Sequence, residues 1–435
     1  MRLFANSSLI SALCSIFFSA HGGAEVLTLQ RAIDLARNNS PSIKKQQAAY
    51  EGQSNRVVSA WLDTGPRGKV VYNWTQFQNN QEIPFGPSSL VIRPQNTSAG
   101  SFTLSQPLTS FYALMENARL EGLKKDMAQN SVQLAATYTA FAIVELYIRN
   151  QQMSALYMSS KDRIEAGESI QKEGAALLLA GKIHKGDSLK LDLVLSEAKS
   201  SAAKIKAQLD ILQATLKEHT GYQDGQAFTL PSIESVPMPP VPEEKAAIER
   251  ALAHRPELQQ AKTGVEVSAF AWKLAAVGYT PQVNAFVQWN RNYGDLPFGQ
   301  ERNTKIYGIA ATWDIWDNGS RVFKMREAAE LKVQATYEVE ELQRKIKLEV
   351  LETEANLRAA AETVTLAKLA LAQATEAHRI ESSRFREGSS RTSELVLSEA
   401  AKASAEGNWI AAIIDLHSQH YKLQRVQGEM TPIVL

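Results

Sequence analysis

Lys182-Ile183-His184-Lys185-Gly186 runs into Leu193-Val194-Leu195-Ser196-Glu197-Ala198, and the chain repeats this text as Arg384-Phe385-Arg386-Glu387-Gly388 running into Leu395-Val396-Leu397-Ser398-Glu399-Ala400. The two passages lie 202 positions apart, and the six-residue Leu-Val-Leu-Ser-Glu-Ala string maps onto itself. A glycine between two long helical patterns reads as the tip of a helical hairpin, because glycine reverses the chain without a Cβ penalty. Two such tips, at Gly186 and Gly388, predict a duplicated unit.

The duplication extends outward from the tips. Ala32-Ile33-Asp34 matches Ala247-Ile248-Glu249 at a shift of 215, and Pro41, Pro66 and Trp74 match Pro256, Pro281 and Trp289 at that same shift. In each copy a helical text is broken at the first proline, since proline ends or restarts a helix. Two strand-like segments follow. Val70, Tyr72 and Trp74 alternate with Val71, Asn73 and Thr75, and Gly100, Phe102 and Leu104 alternate with Ser101, Thr103 and Ser105. The second copy gives Val283, Ala285, Val287 and Trp289, then Tyr307, Ile309, Ala311 and Trp313. Period-two alternation marks half-buried strands, and about ten residues is the length a tilted membrane-spanning strand needs. A loop rich in Asn, Gln and Pro, Gln78 to Asn96, is expected between the first two strands.

Long helices occupy the rest. Ile346, Val350, Thr353, Leu357, Ala360, Val364, Ala367, Leu371 and Ala374 alternate steps of four and three, the seam of a coiled coil. A helix from Ser320 to Arg386 would be about 100 Å long at 1.5 Å per residue.

The first residues set the compartment. Met1-Arg2, the apolar run Leu9 to Ala20 and the small residues Gly22-Gly23-Ala24 read as a secretory leader, 1–24. Cys14, the only cysteine, lies inside it, so no disulfide or thiolate metal site is expected after cleavage. With Arg2 removed, basic and acidic residues balance at 46 each, which argues against nucleic acid as a partner. No run long enough for a transmembrane helix is expected after the leader. The expected division is a first repeat over 25–220, a Pro-rich linker over 221–244 and a second repeat over 245–435.

Four strands cannot close a membrane barrel, which needs about eight or more, and lipid does not tolerate an open edge. A ring of chains would supply both a shared barrel and a shared helical cylinder. The text Leu27 to Pro41, Gln106-Pro107-Leu108 at the strand exit and Arg384-Phe385-x-x-Gly388 at the tip resemble the outer-membrane efflux protein family, the TolC-like channels. That resemblance implies an α+β membrane protein. Long coiled-coil hairpins would form a periplasmic tunnel, and four strands per chain would contribute to a 12-stranded outer-membrane barrel of a homotrimer. It further implies a location in the outer membrane of a Gram-negative bacterium, contact with outer-membrane lipid, and docking onto a periplasmic adaptor and an inner-membrane transporter. The function implied is a passive exit duct of an efflux or type I secretion system. A periplasmic coiled-coil adaptor or scaffold is the alternative. Asp314 departs from the pattern, standing where proline is expected.

Candidate functional residues cluster at the tips. Asp192 and Glu394 each lie six residues past a tip glycine. The resemblance implies that Glu394 joins an acidic ring at the closed end, with Arg391 pairing to a neighbouring chain; a solvated charge favoured by the helix dipole is the other reading. Lys182, Ile183, Arg384 and Phe385 would form the surface that meets the adaptor. His417 and His420 have metal-compatible spacing, but Ile413, Leu416 and Leu423 make this a packing face. No nucleophile elbow, phosphate loop or zinc-protease helix is present in the sequence, so neither enzyme activity nor a cofactor is expected.

Overall fold

The computed structural model describes residues 25–222, 228–232, 244–294 and 301–430; the expected leader and most of the expected linker lie outside them. The order of elements is β1 (Glu25–Val26), α1 (Leu29–Asn39), α2 (Pro41–Leu62), β2 (Arg67–Gln76), β3 (Gln81–Phe85), β4 (Ser88–Arg93), β5 (Asn96–Pro107), α3 (Ser110–Leu179) and α4 (Lys185–Thr220). There follow β6 (Phe228–Thr229), α5 (Glu244–His254), α6 (Pro256–Val277), β7 (Gln282–Tyr293), β8 (Asn303–Thr312), α7 (Ser320–Arg386) and α8 (Thr392–Val426). Helix lengths recur in step: 11, 22, 70 and 36 residues, then 11, 22, 67 and 35.

Local chemistry starts and stops these helices. Ser40 caps α2, accepting from the Ile43 amide at 3.4 Å, and Pro41 fills the first turn, where no amide donor is needed. Asp317 opens α7, accepting from the amides of Gly319 and Arg321 at 3.1 and 2.9 Å. Arg321 in turn pairs with Asp314 at 3.4 Å, which gives this departure from the family pattern a structural use.

The 70-residue α3 rises about 105 Å. It is covered end to end by two shorter helices, α2 and α4, as α7 is by α6 and α8. The heptad seam of α7 lies where its spacing predicts: Ile346, Val350, Thr353, Leu357, Ala360 and Val364 are buried, and Ala367, Leu371 and Ala374 half-buried. The main core joins the two halves through Ile143, Val144 and Tyr147 of α3, Leu357 and Val364 of α7, and Ile413 and Leu416 of α8. Among the described residues one helix, α3, is long and apolar enough by composition to cross a membrane, contrary to expectation. Its apolar positions Val132, Ala136, Ala140, Ile143, Val144 and Ile148 are buried against other helices.

A polar girdle ties the second half. Glu349 accepts from Arg255 at 2.6 Å and Arg425 at 3.0 Å, and the Arg425 guanidinium lies over the Phe141 ring at 4.8 Å. The flanking arginines hold the Glu349 carboxyl below the usual range against its burial. His417 is buried among the packing residues, and the described residues contain no group of three or more His, Cys, Asp or Glu able to hold a metal.

The strands form one antiparallel sheet in the order β2-β5-β7-β8. The expected loop from Gln78 to Asn96 is instead largely a hairpin, β3 on β4, turning at Gly86 with φ 62°. Ile83, Phe85, Leu90 and Val91 supply strand formers that a reading by Asn, Gln and Pro content passes over. In the linker, β6 pairs in parallel with β1.

Leu357→Ala is expected to destabilise the chain by about 2–5 kcal/mol, since it empties a fully buried site where both halves meet. Urea unfolding followed by circular dichroism measures it; a loss near zero would contradict this core.

Candidate functional site: the hairpin tips and the two-faced sheet

The sheet register sorts most residues onto an apolar and a polar face. Val70 pairs with Phe102, Phe102 with Trp289, Leu104 with Val287, and Val287 with Tyr307. Directly paired residues share a face, so Val70, Tyr72, Trp74, Phe102, Leu104, Val287, Trp289, Tyr307 and Ile309 form one largely apolar surface, on which Arg291 and Lys305 are the charged exceptions. Phe102 and Trp289 stack at 5.5 Å and Tyr72 meets Tyr293 at 6.1 Å. The opposite face carries Lys69, Asn73, Thr75, Ser101, Thr103, Ser105, Gln288, Asn290 and Thr304, with Val71, Phe286 and Ile306 as exceptions. No other element among the described residues covers the apolar face: Tyr307 is 83% exposed and Val70 76%. At the helical end, Trp61, Trp272, Trp313, Trp316 and Phe323 are exposed together. β2 and β8 each offer one unpaired edge.

At the other end of the rods, the structure corrects the reading of the tips. Gly388, φ 76°, follows the α7 C-cap and reverses the chain as expected. In the first hairpin that place is held by Gly181, φ 68°, while Gly186 lies in the first turn of α4. The helix boundaries at the tips are therefore offset by 207, not 202. The acid equivalent to Glu394 is consequently Asp187, each the only acid in the first turn of its helix, where the dipole favours it. Asp192 is one turn further on, half-buried, and accepts from Gln171 Nε2 at 2.5 Å.

Phe385 is also corrected. It is 1% exposed, not a projecting contact residue, and packs with Leu191 of the first hairpin and Leu395 of the second. Its benzyl group is the apolar plug between the tips, because burying so large a side chain contributes more there than exposure would. Arg386 adds a bridge to Glu173 of the first hairpin at 3.1 Å, and the Lys182 stem lies against Gly388. Lys182 and Arg384 are exposed, and Ile183 is half-buried.

Glu394 is exposed and belongs to a small polar group. Ser390 Oγ lies 2.6 Å from Glu381 Oε2 and 3.0 Å from Glu394 Oε2, so its single proton serves one carboxylate at a time. Arg384 pairs with Glu381 at 2.7 Å. The Ser390 hydroxyl, then the Arg391 backbone, hold the Glu394 carboxyl below the usual range, so it stays ionised until the solution is more acidic than for a free carboxylate. Arg391 is the exposed N-cap of α8 and has no ion pair among the described residues.

Long paired hairpins carrying a two-faced, open-edged sheet define a strand-anchored helical rod. Residues 247–429 match the family model described as Outer membrane efflux protein. That match lies in the second half of the chain, and the resemblance read from the sequence points the same way. No curated protein matches it. Among solved structures it is similar to CusC, whose structures concern folding and transmembrane channel formation, with TM-score 0.79 at 13% identity over 94% of this chain and 96% of that one. It is similar to the Campylobacter jejuni CmeC outer membrane channel, TM-score 0.78 and 12% identity over 99% and 94%. The outer membrane protein VceC of Vibrio cholerae gives 0.74 and 14% over 92% and 96%. At such identities these are likenesses of fold.

Gly388→Ala should destabilise the chain by about 1–2 kcal/mol through its left-handed backbone, whereas Gly186→Ala, inside a helix, should stabilise it by up to about 1 kcal/mol. Paired urea titrations check this; equal effects would restore Gly186 as the turning residue.

Proposed function

We propose that this chain is one third of an outer-membrane exit duct, a homotrimer closing a 12-stranded barrel above a helical periplasmic tunnel. The observation that carries the reading is the sheet: one apolar face left bare, one polar face, and two open edges. Facing lipid, the apolar side chains of that face lose nothing by exposure, and joining β8 of one copy to β2 of the next leaves no edge unpaired. Three chains of four strands give 12, within the range of membrane barrels.

The helices support the same closure. α3 packs on α2 and α4 and also on α6 and α8, whereas its counterpart α7 packs chiefly on α8, α6 and α5. Opposite its buried seam α7 carries an exposed stripe, Leu348, Leu351, Ala355, Leu366, Leu369, Ala377 and Ile380. By the logic of the repeat, α2 and α4 of a second copy would cover that stripe, where α4 presents exposed Leu189, Leu193, Ala203, Ala207 and Ile211. A head-to-tail contact of this kind closes into a ring.

In this reading the duct is passive. The tips, with exposed Lys182 and Arg384, meet a periplasmic adaptor, and an inner-membrane pump supplies the energy. Glu394 and its two copies form an acidic constriction at the tip, with Arg391 free to pair across chains. The protein would reside in the outer membrane of a Gram-negative bacterium with a large periplasmic part.

Fractionation is expected to place the protein in the outer membrane as a trimer, and planar bilayers to record cation-selective conductance that Glu394→Gln weakens. A soluble monomer would sink the duct, and unchanged selectivity would sink the acidic ring alone. The double variant Leu366→Asp, Leu369→Asp is expected to keep its helicity yet run as a monomer in native mass spectrometry. Intact trimers would remove the α7 stripe from the interface.

A further inference from the structure

Beyond the Phe385 plug, the two hairpins share a second, polar contact. Arg163 of α3, His378 of α7, and Ser398 and Glu399 of α8 converge there. Glu399 stands between a cation-forming group from each hairpin. Its Oε1 is 3.3 Å from Arg163 Nε, and its Oε2 is 3.3 Å from His378 Nε2. The side chains of His378 and Glu399 are each only 12% exposed.

Ser398 meets the other nitrogen of the ring. Ser398 Oγ donates to the Leu395 carbonyl at 2.8 Å, so at 3.2 Å from His378 Nδ1 it is the acceptor. With Nδ1 as donor, the neutral ring leaves Nε2 as its protonation site, 3.3 Å from the carboxylate. Glu399 Oε2 and Arg163 Nε are both buried without a hydrogen bond.

The surroundings limit what else can answer a charge there. Asp162 from α3, with Thr375 from α7 and Lys402 and Glu406 from α8, lines the adjoining pocket, while α4 brings only apolar Leu191, Val194, Leu195 and Ala198 to the other side. Lys402 adds a further positive charge near His378.

We propose that this cluster is a proton-operated clasp between the two hairpins. With His378 neutral, Glu399 serves Arg163 and holds α3 to α8. When Nε2 takes a proton, Glu399 turns to His378, the two cations repel, and α3 is released. The direction follows from linkage. Burial, only partly opposed by Glu399, lowers His378 below its ordinary value of 6.5 in the packed arrangement. The separated arrangement, open to water, binds the proton more readily, so acidification favours separation as pH falls below 6.5, and alkaline solution leaves the clasp closed. That opening the clasp helps to open a conduit rests on the duct reading; the clasp itself does not.

The test uses the exported protein, in which no native cysteine is expected, spin-labelled at Lys161→Cys on α3 and Ala401→Cys on α8. Between about pH 8 and about pH 5.5, the longer inter-helix distance should gain population, by at most about tenfold per pH unit for one linked proton. His378→Gln should hold the short distance throughout, and Glu399→Gln should give the long one even in alkaline solution. No pH response in the parent protein, or the same response in His378→Gln, overturns the clasp; circular dichroism checks that each variant is folded, and the parent titration stands on its own. Conductance recorded in parallel separates the two readings. A pH-dependent distance without conductance sinks the duct, whereas conductance without that pH dependence sinks the clasp.

Discussion

Asn39 Nδ2 donates to the carbonyl of Thr220 at 2.6 Å, and this joint bears on the whole rod. A helix of 70 residues cannot hide its apolar seam unless something as long lies beside it. The chain provides the partner in two pieces, α2 and α4, which come from opposite sides of the sheet and the tip. Where they meet, helix carbonyls lack partners, and Asn39 satisfies one of them. In the second half, Arg250 bridges to Glu429 at 3.1 Å, and Glu349 gathers Arg255 and Arg425 at the corresponding place. Arg37 then reaches the carbonyl of Met430 at 2.7 Å, linking the first helix to the far end of the second repeat. These contacts join a two-part cover into one continuous surface.

At the tips the balance between burial and charge is local. Phe385 goes inward because Leu191 and Leu395 offer an apolar site, while its neighbours Arg384 and Arg386 stay at the surface and pair with Glu381 and Glu173. Exposed pairs of this kind contribute little, on the order of 0–1 kcal/mol each. The apolar plug therefore holds the tips together, and the charges tune their surface.

Much of this was legible because helix periodicity is a strong signal. The four-three spacing from Ile346 to Ala374 located the buried seam, and Pro41 and Pro256 located the breaks between short helices. Strand alternation sorted the apolar face correctly. What misled was identity of text. Leu-Val-Leu-Ser-Glu-Ala occurs twice, but the second copy starts five residues nearer its helix N-terminus, which turns it well over a quarter of the way round the axis. Leu193 is exposed and Leu195 buried; in the other copy Leu395 is buried and Leu397 exposed. The same letters thus face opposite ways, and aligning them displaced both the tip glycine and the acid. The joint at Asn39 and the Arg163–Glu399–His378 contact had no sequence signal, since each links residues far apart in the chain.

The four strands of the main sheet contain no aspartate, glutamate or histidine; their only charges are Arg67, Lys69, Arg291 and Lys305. In the duct proposed above, the barrel wall would therefore hold no carboxylate or imidazole, and the acid groups of the clasp would lie wholly in the rods, far from the strands.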